Sequence, residues 1–498
     1  MQHFKKPALV LAAYLGTFLA SLDIGIVNVA LPTLQRALQT DLAGLQWVIN
    51  AYAIALSAFM LSAGPLSDRH GHRRMWLASV ATFIAGSLVC ACATDLPVLV
   101  IGRTIQGVAG ALLIPSAMPL LTHAFPDPGQ RARAIGGWSA FSALALVLGP
   151  LLGGLLVQWT GWQSIFLINL PLGAVALALG AWSIPERRHP QHAAMDPAGQ
   201  ILSTLALAAL SYGLIGIGGR GWSAPATWFS LITALVALLA FSLVQRRVTR
   251  PLLPLDLFAD RRFALLNLAS FVLGFTAYAS LFFLSLFFQQ VQGKTAAQAG
   301  WQLAPQFLVM GVVSLMFGRI AVRLGLHAAL AWGYALAGLA LCAMARFTTD
   351  TAGGFATMCL MALGAGMGLA VPATGMAVMA RTPPERAGIA SATMNALRQA
   401  GMSLGIALLG SLMSLWAVQQ FRTTATATGQ FVLAQHAHSI IQHPAAVTAS
   451  LPAVIYRSAM AGGFAWVMGI AGICMLATAF ALHRRTPTRT GCPPDDSP

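Results

Sequence analysis

Apolar residues run along this chain in blocks, each ended by a short segment rich in Gly, Pro or Arg. A bilayer crossing takes about 20 apolar residues at about 1.5 Å rise each, and this pattern predicts fourteen such helices. The first six lie at about 8–31, 45–66, 75–94, 98–121, 133–157 and 164–183. Two follow at about 199–219 and 225–244. The last six lie near 264–288, 299–318, 327–345, 353–379, 394–416 and 459–482. The first block, opened by Lys5-Lys6-Pro7, imitates a secretory signal peptide. Asp23 and Asn28 inside it, and the many blocks that follow, favour an uncleaved span. Asp23 is the only one of the thirteen acidic residues deep inside a predicted span. A carboxylate at that depth costs several kcal/mol to bury charged, so it must pair, face water or carry a proton.

Composition agrees with a membrane protein: 57% of the 498 residues are hydrophobic and only 8% charged, against roughly a quarter charged in soluble chains. The net charge of +16 raises the question of nucleic acid, but no long Lys/Arg run or basic-aromatic patch supports such a surface. The charges instead punctuate the apolar blocks. With both termini cytoplasmic, twenty-one of the 29 Lys and Arg fall on inner segments and two, Arg103 and Arg398, within spans. Six fall outside: Arg36, Arg220, Lys294, Arg346, Arg422 and Arg457. That bias follows the positive-inside rule, and an odd span count would destroy it. Cys90, Cys92, Cys342, Cys359 and Cys474 fall in or at the ends of spans, Cys492 in the tail. No CxxC occurs, so neither zinc nor a disulfide framework is implied.

An internal repeat organises the chain. Gly64-Pro65-Leu66-Ser67-Asp68-Arg69-His70-Gly71 returns in outline as Gly318-Arg319-Ile320-Ala321-Val322-Arg323-Leu324-Gly325, at an offset of 254, with Val322 in place of Asp68. Each copy follows the second span of a six-span block. Duplicated halves around a central site characterise secondary transporters. The expected fold is an all-α integral membrane protein of about fourteen helices. Residues 1–183 form one six-helix bundle and 263–498 a pseudo-symmetric second, with a two-helix insert at 184–262. Residues 417–458 are expected as an external Thr/Ala/His-rich loop, and the chain ends in a cytoplasmic tail. His436, His438 and His443 in that loop have no acidic or Cys partner nearby, so no metal site is predicted.

The segment Gly64 to Arg74 carries the most specific signal. Gly64 and Gly71 permit tight turns at two helix ends, and Asp68 is placed to hold Arg69, Arg73 or a helix N-terminus. With Arg74, these residues would form a latch that closes in one conformation and opens in the other.

This segment resembles the signature loop of the major facilitator superfamily. Leu22-Asp23-Ile24-Gly25-Ile26-Val27-Asn28-Val29-Ala30-Leu31-Pro32 resembles the first-span motif LDxTIVNVALP of its fourteen-span drug:proton antiporter branch. Leu99 to Ala111, with Gly102-Arg103, resembles the fourth-span motif, and Leu148 to Gly154, with Gly149, Pro150, Gly153 and Gly154, the fifth-span antiporter motif. Trp162, Phe166, Asn169, Pro171 and Gly173 fit the sixth span, and Gly388-Ile389-Ala390-Ser391-Ala392 through Arg398-Gln399 the thirteenth. The chain departs from the pattern at Gly25, usually Thr, at His72, often Arg, and at Gln163-Ser164, usually Arg-Trp.

The resemblance implies that the first and fourth spans are neighbours. Asp23 lies about 22 Å from the inner end of its span and Arg103 about 8 Å below the outer end of its own, so their depths coincide in a core of about 30 Å. The pair is the candidate for proton coupling, with static helix packing as the alternative. The Gly-Pro motif frees a carbonyl and offers a flat face for close approach; the resemblance implies that it seals the cavity outward during exchange. Asn28, Gln106, Phe275, Tyr278, Asn395 and Arg398 are candidates for the substrate cavity, Arg398 alternatively snorkelling to the inner surface. For Phe271, Phe275, Tyr278, Phe282, Phe283 and Phe287 the alternative is a lipid-facing position.

Three decoys fail. Gly293-Lys294-Thr295 ends like a P-loop, but position 288 is Phe. Gly216 to Gly221 matches GxGxxG, yet closes a span instead of joining strand to helix. No HExxH occurs. Without an ATP site or a catalytic cluster, the expected activity is not enzymatic and needs no cofactor. Proton-coupled efflux of amphipathic drugs by alternating access is expected, across a bacterial inner membrane as the fourteen-span form suggests. The alternative is a dedicated exporter of one metabolite or self-made antibiotic. The partners implied are the small-molecule substrate, protons and the bilayer. A periplasmic adaptor and the oligomeric state stay open.

Overall fold

The computed structural model describes residues 2–186, 196–248, 251–443 and 450–484. Most of the linker after the sixth span and the tail with Cys492 lie outside them. The described residues are helical, with no strand, and fourteen helices are long and apolar enough to cross a membrane. In order these are Gln2–Ala37, Leu42–Met60, His72–Ala91, Leu96–Ala124 and Pro128–Thr160, with Ser164–Ser183 as the sixth. Then come Pro197–Arg220 and Pro225–Arg247. The ninth is Arg261–Val291, followed by Ala296–Leu324, Leu326–Met344, Gly353–Met379, Ala387–Ala427 and Ser450–Arg484. With an even count the first helix starts and the fourteenth ends on one face, the proximal face; the opposite face is the distal one.

The ends of these helices explain where the acids sit. Asp41, Asp95, Asp127, Asp196 and Asp260 each accept a hydrogen bond from a backbone N–H of the helix they precede. Each thereby satisfies an orphan donor and complements the positive helix end. Gly71, Gly161, Gly221 and Gly325 close helices at positive φ, where a β-carbon is disfavoured. Thr295 and Gln298 form a capping box for the tenth span, which accounts for the Gly-Lys-Thr sequence without any phosphate.

The first span packs on the fourth, fifth and sixth, and the second on the fourth. The seam between the early spans and the late ones is made mainly by the fifth on the tenth and the second on the thirteenth, with smaller contacts of the first on the ninth and tenth. The seventh span leans on the second and thirteenth and carries the eighth. The eighth exposes Trp228, Phe229, Ile232 and Leu239, as a lipid-facing helix does. The ninth is interrupted by two π-helical turns, Gly274–Tyr278 and Phe287–Val291. Such turns recur at functional sites.

Several expectations need correction. The expected loop at 417–458 is largely helix: the thirteenth span runs to Ala427, and short helices follow at Phe431–Gln435 and Ala437–Gln442 before the fourteenth starts at Ser450. Thr and Ala tolerate a helix that continues past the bilayer, so apolar length understates it. Gly64 makes no turn; it sits in the short helix Ala63–His70, where no neighbour approaches its β-position. Phe282, Phe283 and Phe287 do not face lipid; all three are fully buried, with Phe287 packed on Phe347 and Phe464.

Candidate functional site

The fourth span places Arg103 and Gln106 three residues apart, hence on one face. Both turn toward the first span, and Arg103 Nη1 donates to Asp23 Oδ2 at 2.5 Å. The same nitrogen donates to Gln106 Oε1 at 2.8 Å, and Gln106 Nε2 donates to Asp23 Oδ1 at 3.2 Å. The guanidinium is held from the second span as well: its Nε donates to the Val48 carbonyl at 3.1 Å, and its carbon lies 4.4 Å from the centre of the Tyr52 ring. Tyr52 donates to the Ala20 carbonyl on the first span. Ser87 of the third span accepts from Gln106 Nε2 at 2.8 Å and from Asn169 Nδ2 of the sixth at 3.2 Å. Asp23 is 0% and Arg103 1% exposed.

Five spans therefore enclose one ion pair with most of its lone pairs and N–H groups satisfied. A buried pair of this kind loses several kcal/mol when one partner is removed, because the other charge is left behind (about 3–5 kcal/mol). Some polar atoms nearby stay orphaned. Both side-chain polar atoms of Asn50, and the Oδ1 atoms of Asn28 and Asn169, have no partner among the described residues. Buried polar atoms without partners are where water enters.

Of the six residues expected in a substrate cavity, the structure makes two groups. Gln106 belongs to the Asp23 network, and Asn28 sits at the seam, where its carbonyl accepts from Ser285 Oγ of the ninth span at 2.5 Å. Phe275, Tyr278, Asn395 and Arg398 gather elsewhere, around the first π-turn. Arg398 lies 5.5 Å from the Tyr278 ring and donates to Asn395 Oδ1, while Phe275 stacks on Phe271. No carboxylate pairs with Arg398 among the described residues.

The latch residues pair differently from expectation. Asp68 meets His72 at 3.1 Å, four residues on, rather than Arg69 or Arg73. Arg73 donates to the Ala181 carbonyl at the end of the sixth span, Arg74 lies 3.6 Å from Glu186, and Arg69 is exposed. Gly71, at φ 101°, turns the third helix so that its first residues lean on the sixth span. Gly325, at φ 80°, makes the matching turn in the second copy.

The fifth-span motif is a packing device. A β-carbon at Gly149 would lie 3.0 Å from Gly25 Cα, and one at Gly153 2.8 Å from the Ile26 carbonyl. Gly25, unusual for the motif it belongs to, thereby permits the backbones of the first and fifth spans to touch. Gly154 faces Ala296, and Gly300 faces the Pro150 carbonyl, so the same stretch meets the tenth span.

Tyr52, Ser87 and the Val48 carbonyl went unread in the sequence. Only the polar character of Ser87 inside an apolar block hinted at a partner.

Comparison with known proteins agrees with this architecture. A model of the Major Facilitator Superfamily matches residues 13–406. The chain is 35% identical to the multidrug resistance protein Stp of Mycobacterium tuberculosis over 407 residues, 82% of this chain and 76% of that protein. It is 33% identical to the methylenomycin A resistance protein of Bacillus subtilis over 402 residues, 80% of this chain and 86% of that protein. With the cephamycin export protein CmcT of Amycolatopsis lactamdurans it shares 35% identity over 411 residues, 81% and 84% of the two chains. Among solved structures, a D-xylose-proton symporter superposes with a TM-score of 0.63 over 98% of each chain at 15% identity, a likeness of fold. Multi-pass, all-helical and matched by this model over most of its length, the chain is a member of the Major Facilitator Superfamily.

Proposed function

We propose that the protein exports amphipathic organic compounds in exchange for protons, with the termini in the cytoplasm of a bacterial cell and the distal face outside. The carrying observation is Asp23: a carboxylate at mid-membrane depth, held by Arg103 and Gln106, with the Arg103 guanidinium over the Tyr52 ring of a third span. A proton on Asp23 removes the charge that Arg103 answers. The guanidinium then leans on Gln106, the Val48 carbonyl and the Tyr52 ring. Because protonation and pairing exclude each other, the pair is a two-state element that a proton biases. The bundles 1–183 and 263–498 rock about the seam, with the 184–262 insert braced on one side of it. The Gly71 and Gly325 turns anchor the proximal latch. Relatives named for multidrug resistance and for export support efflux.

The test is proteoliposome transport of a cation, ethidium, and an anion, carboxyfluorescein, under an imposed proton gradient. Wild type is expected to accumulate at least one probe. Asp23→Asn is expected to lose gradient-driven accumulation while retaining probe-for-probe exchange. Undiminished gradient-driven transport by Asp23→Asn would move the coupling site elsewhere.

A dedicated exporter of a single compound is the second reading, favoured by relatives named for one antibiotic each. A compound panel on expressing cells separates the two: resistance to a single member points to the dedicated exporter.

A further inference from the structure

The distal face carries few cations, yet three of them line one cavity. Arg36 comes from the end of the first span, Lys294 from the turn before the tenth, and Arg457 from the start of the fourteenth. The cavity measures about 650 Å³, within the range of about 300–1,000 Å³ typical of small-molecule sites. No carboxylate lines it among the described residues, and none of the three cations forms an ion pair there. The three external acids are committed elsewhere: Asp41 and Asp95 cap helices, and Asp350 accepts from Thr349.

The walls are polar but neutral. Gln290 Nε2 donates to Gln35 Oε1 at 2.7 Å, and Tyr456 Oη donates to Gln290 Oε1 at 2.9 Å. Gln289 and Gln290 both come from the second π-turn. Lys294 is half-buried, 4.8 Å from the Phe288 ring centre, and its Nζ donates to Gln302 Oε1 at 2.9 Å. Burial holds its ammonium below the ordinary lysine range; a bound anion would restore the missing counter-charge. Arg36 belongs to the first span, Lys294 and Arg457 to the later ones, so the cavity straddles the seam that rocking must open.

We propose that this vestibule is an anion site that receives the carboxylate, phosphate or sulfonate group of an amphipathic compound leaving the transporter. The inference rests on the efflux reading for its direction and narrows the substrate class to organic anions. Arg398, the other cation without a carboxylate partner near the seam, lies by aromatic Tyr278 and suits the same charge. In contrast, the one intramembrane carboxylate, Asp23, is already answered by Arg103. A cationic substrate would find no free negative charge in either place.

The test is equilibrium binding of carboxyfluorescein to the full chain in phosphatidylcholine nanodiscs, followed by fluorescence anisotropy. Saturable binding is expected, weakening with added salt because the two arginines are exposed. The triple variant Arg36→Gln, Lys294→Gln, Arg457→Gln is expected to bind at least tenfold more weakly. The charge-keeping triple Arg36→Lys, Lys294→Arg, Arg457→Lys is expected to recover most of the affinity, which separates charge from folding. No binding by wild type, or equal binding by the glutamine triple, overturns the proposal. Binding that requires added phosphatidylglycerol assigns the cations to a lipid headgroup and overturns the exit role. Displacement by inorganic phosphate as readily as by the dye does the same, because it shows a site for charge alone. Binding needs no gradient, so a protein that moves neither probe in proteoliposomes sinks the efflux reading and leaves this result legible.

Discussion

At the residue scale, the arrangement turns on one ion pair and its surroundings. Either charge of the Asp23–Arg103 pair, left without the other, is buried among five helices with no counter-charge, so Arg103→Gln and Asp23→Asn are each expected to destabilise the fold by about 3–5 kcal/mol. The double variant removes both charges and is expected to regain a large share of that loss. Thermal unfolding in detergent reads the difference, and coupling of the two substitutions by less than about 0.5 kcal/mol would contradict a mutually compensating pair. Transport separates stability from function: the double variant is expected to fold yet remain uncoupled from the gradient. Depth arithmetic from the sequence put Asp23 and Arg103 at one level, because rise per residue and bilayer thickness are nearly constant. It had no way to supply Tyr52, Ser87 or Val48, which depend on how neighbouring helices are rotated.

At the element scale, small residues decide which helices touch. In lipid no hydrophobic drive brings helices together, so close backbone approach and van der Waals contact must do so. Gly153→Val places side-chain atoms against the Ile26 carbonyl, a backbone group that cannot turn away. A loss of about 1–3 kcal/mol is expected from such overpacking, read as a lower thermal midpoint and lower folded yield. Gly136→Ala in the same helix meets nothing within 4 Å and serves as control; it is expected to be neutral or stabilising by up to about 1 kcal/mol. If both substitutions behave alike, the motif is not a packing surface. The Asp residues that precede five of the helices act locally as caps, yet only the structure shows them in that role. The helical extension through Ala427 was likewise not legible in the sequence, since Thr, Ala and Gln carry little hydropathy signal either way.

At the scale of the whole molecule, the distal seam is closed by neutral groups. Gln35 meets Gln290, Gln289 Nε2 donates to the Val29 carbonyl at 2.9 Å, and Gln46 Nε2 donates to the Ile406 carbonyl at 2.7 Å. Gln442 joins the seventh and thirteenth spans through Gly218 and Ser414, while its own carbonyl accepts from Gln35. Neutral hydrogen bonds of this kind are each worth about 0.5–1.5 kcal/mol net, strong enough together to hold the seam and weak enough to release it. Cross-linking Gln35→Cys to Gln290→Cys with a short thiol-specific reagent is expected to arrest transport. Reducing the linker is expected to restore it. Full transport in the cross-linked state would mean that the distal seam does not open there.

The sequence by itself determined that the chain lies in a membrane and how many times it crosses. Those properties follow from run length and charge placement, which are local in the chain. It also singled out Asp23 as the one deep acid, because carboxylates are costly in hydrocarbon and so rare there. Tertiary structure alone decided which polar groups meet: that Gln106 joins Asp23, that Asp68 takes His72, and that Arg36, Lys294 and Arg457, spread over 422 positions of sequence, share one cavity. The reason is physical. Apolar helices associate through shape, and shape fixes the rotation of every helix about its axis, which no one-dimensional pattern records.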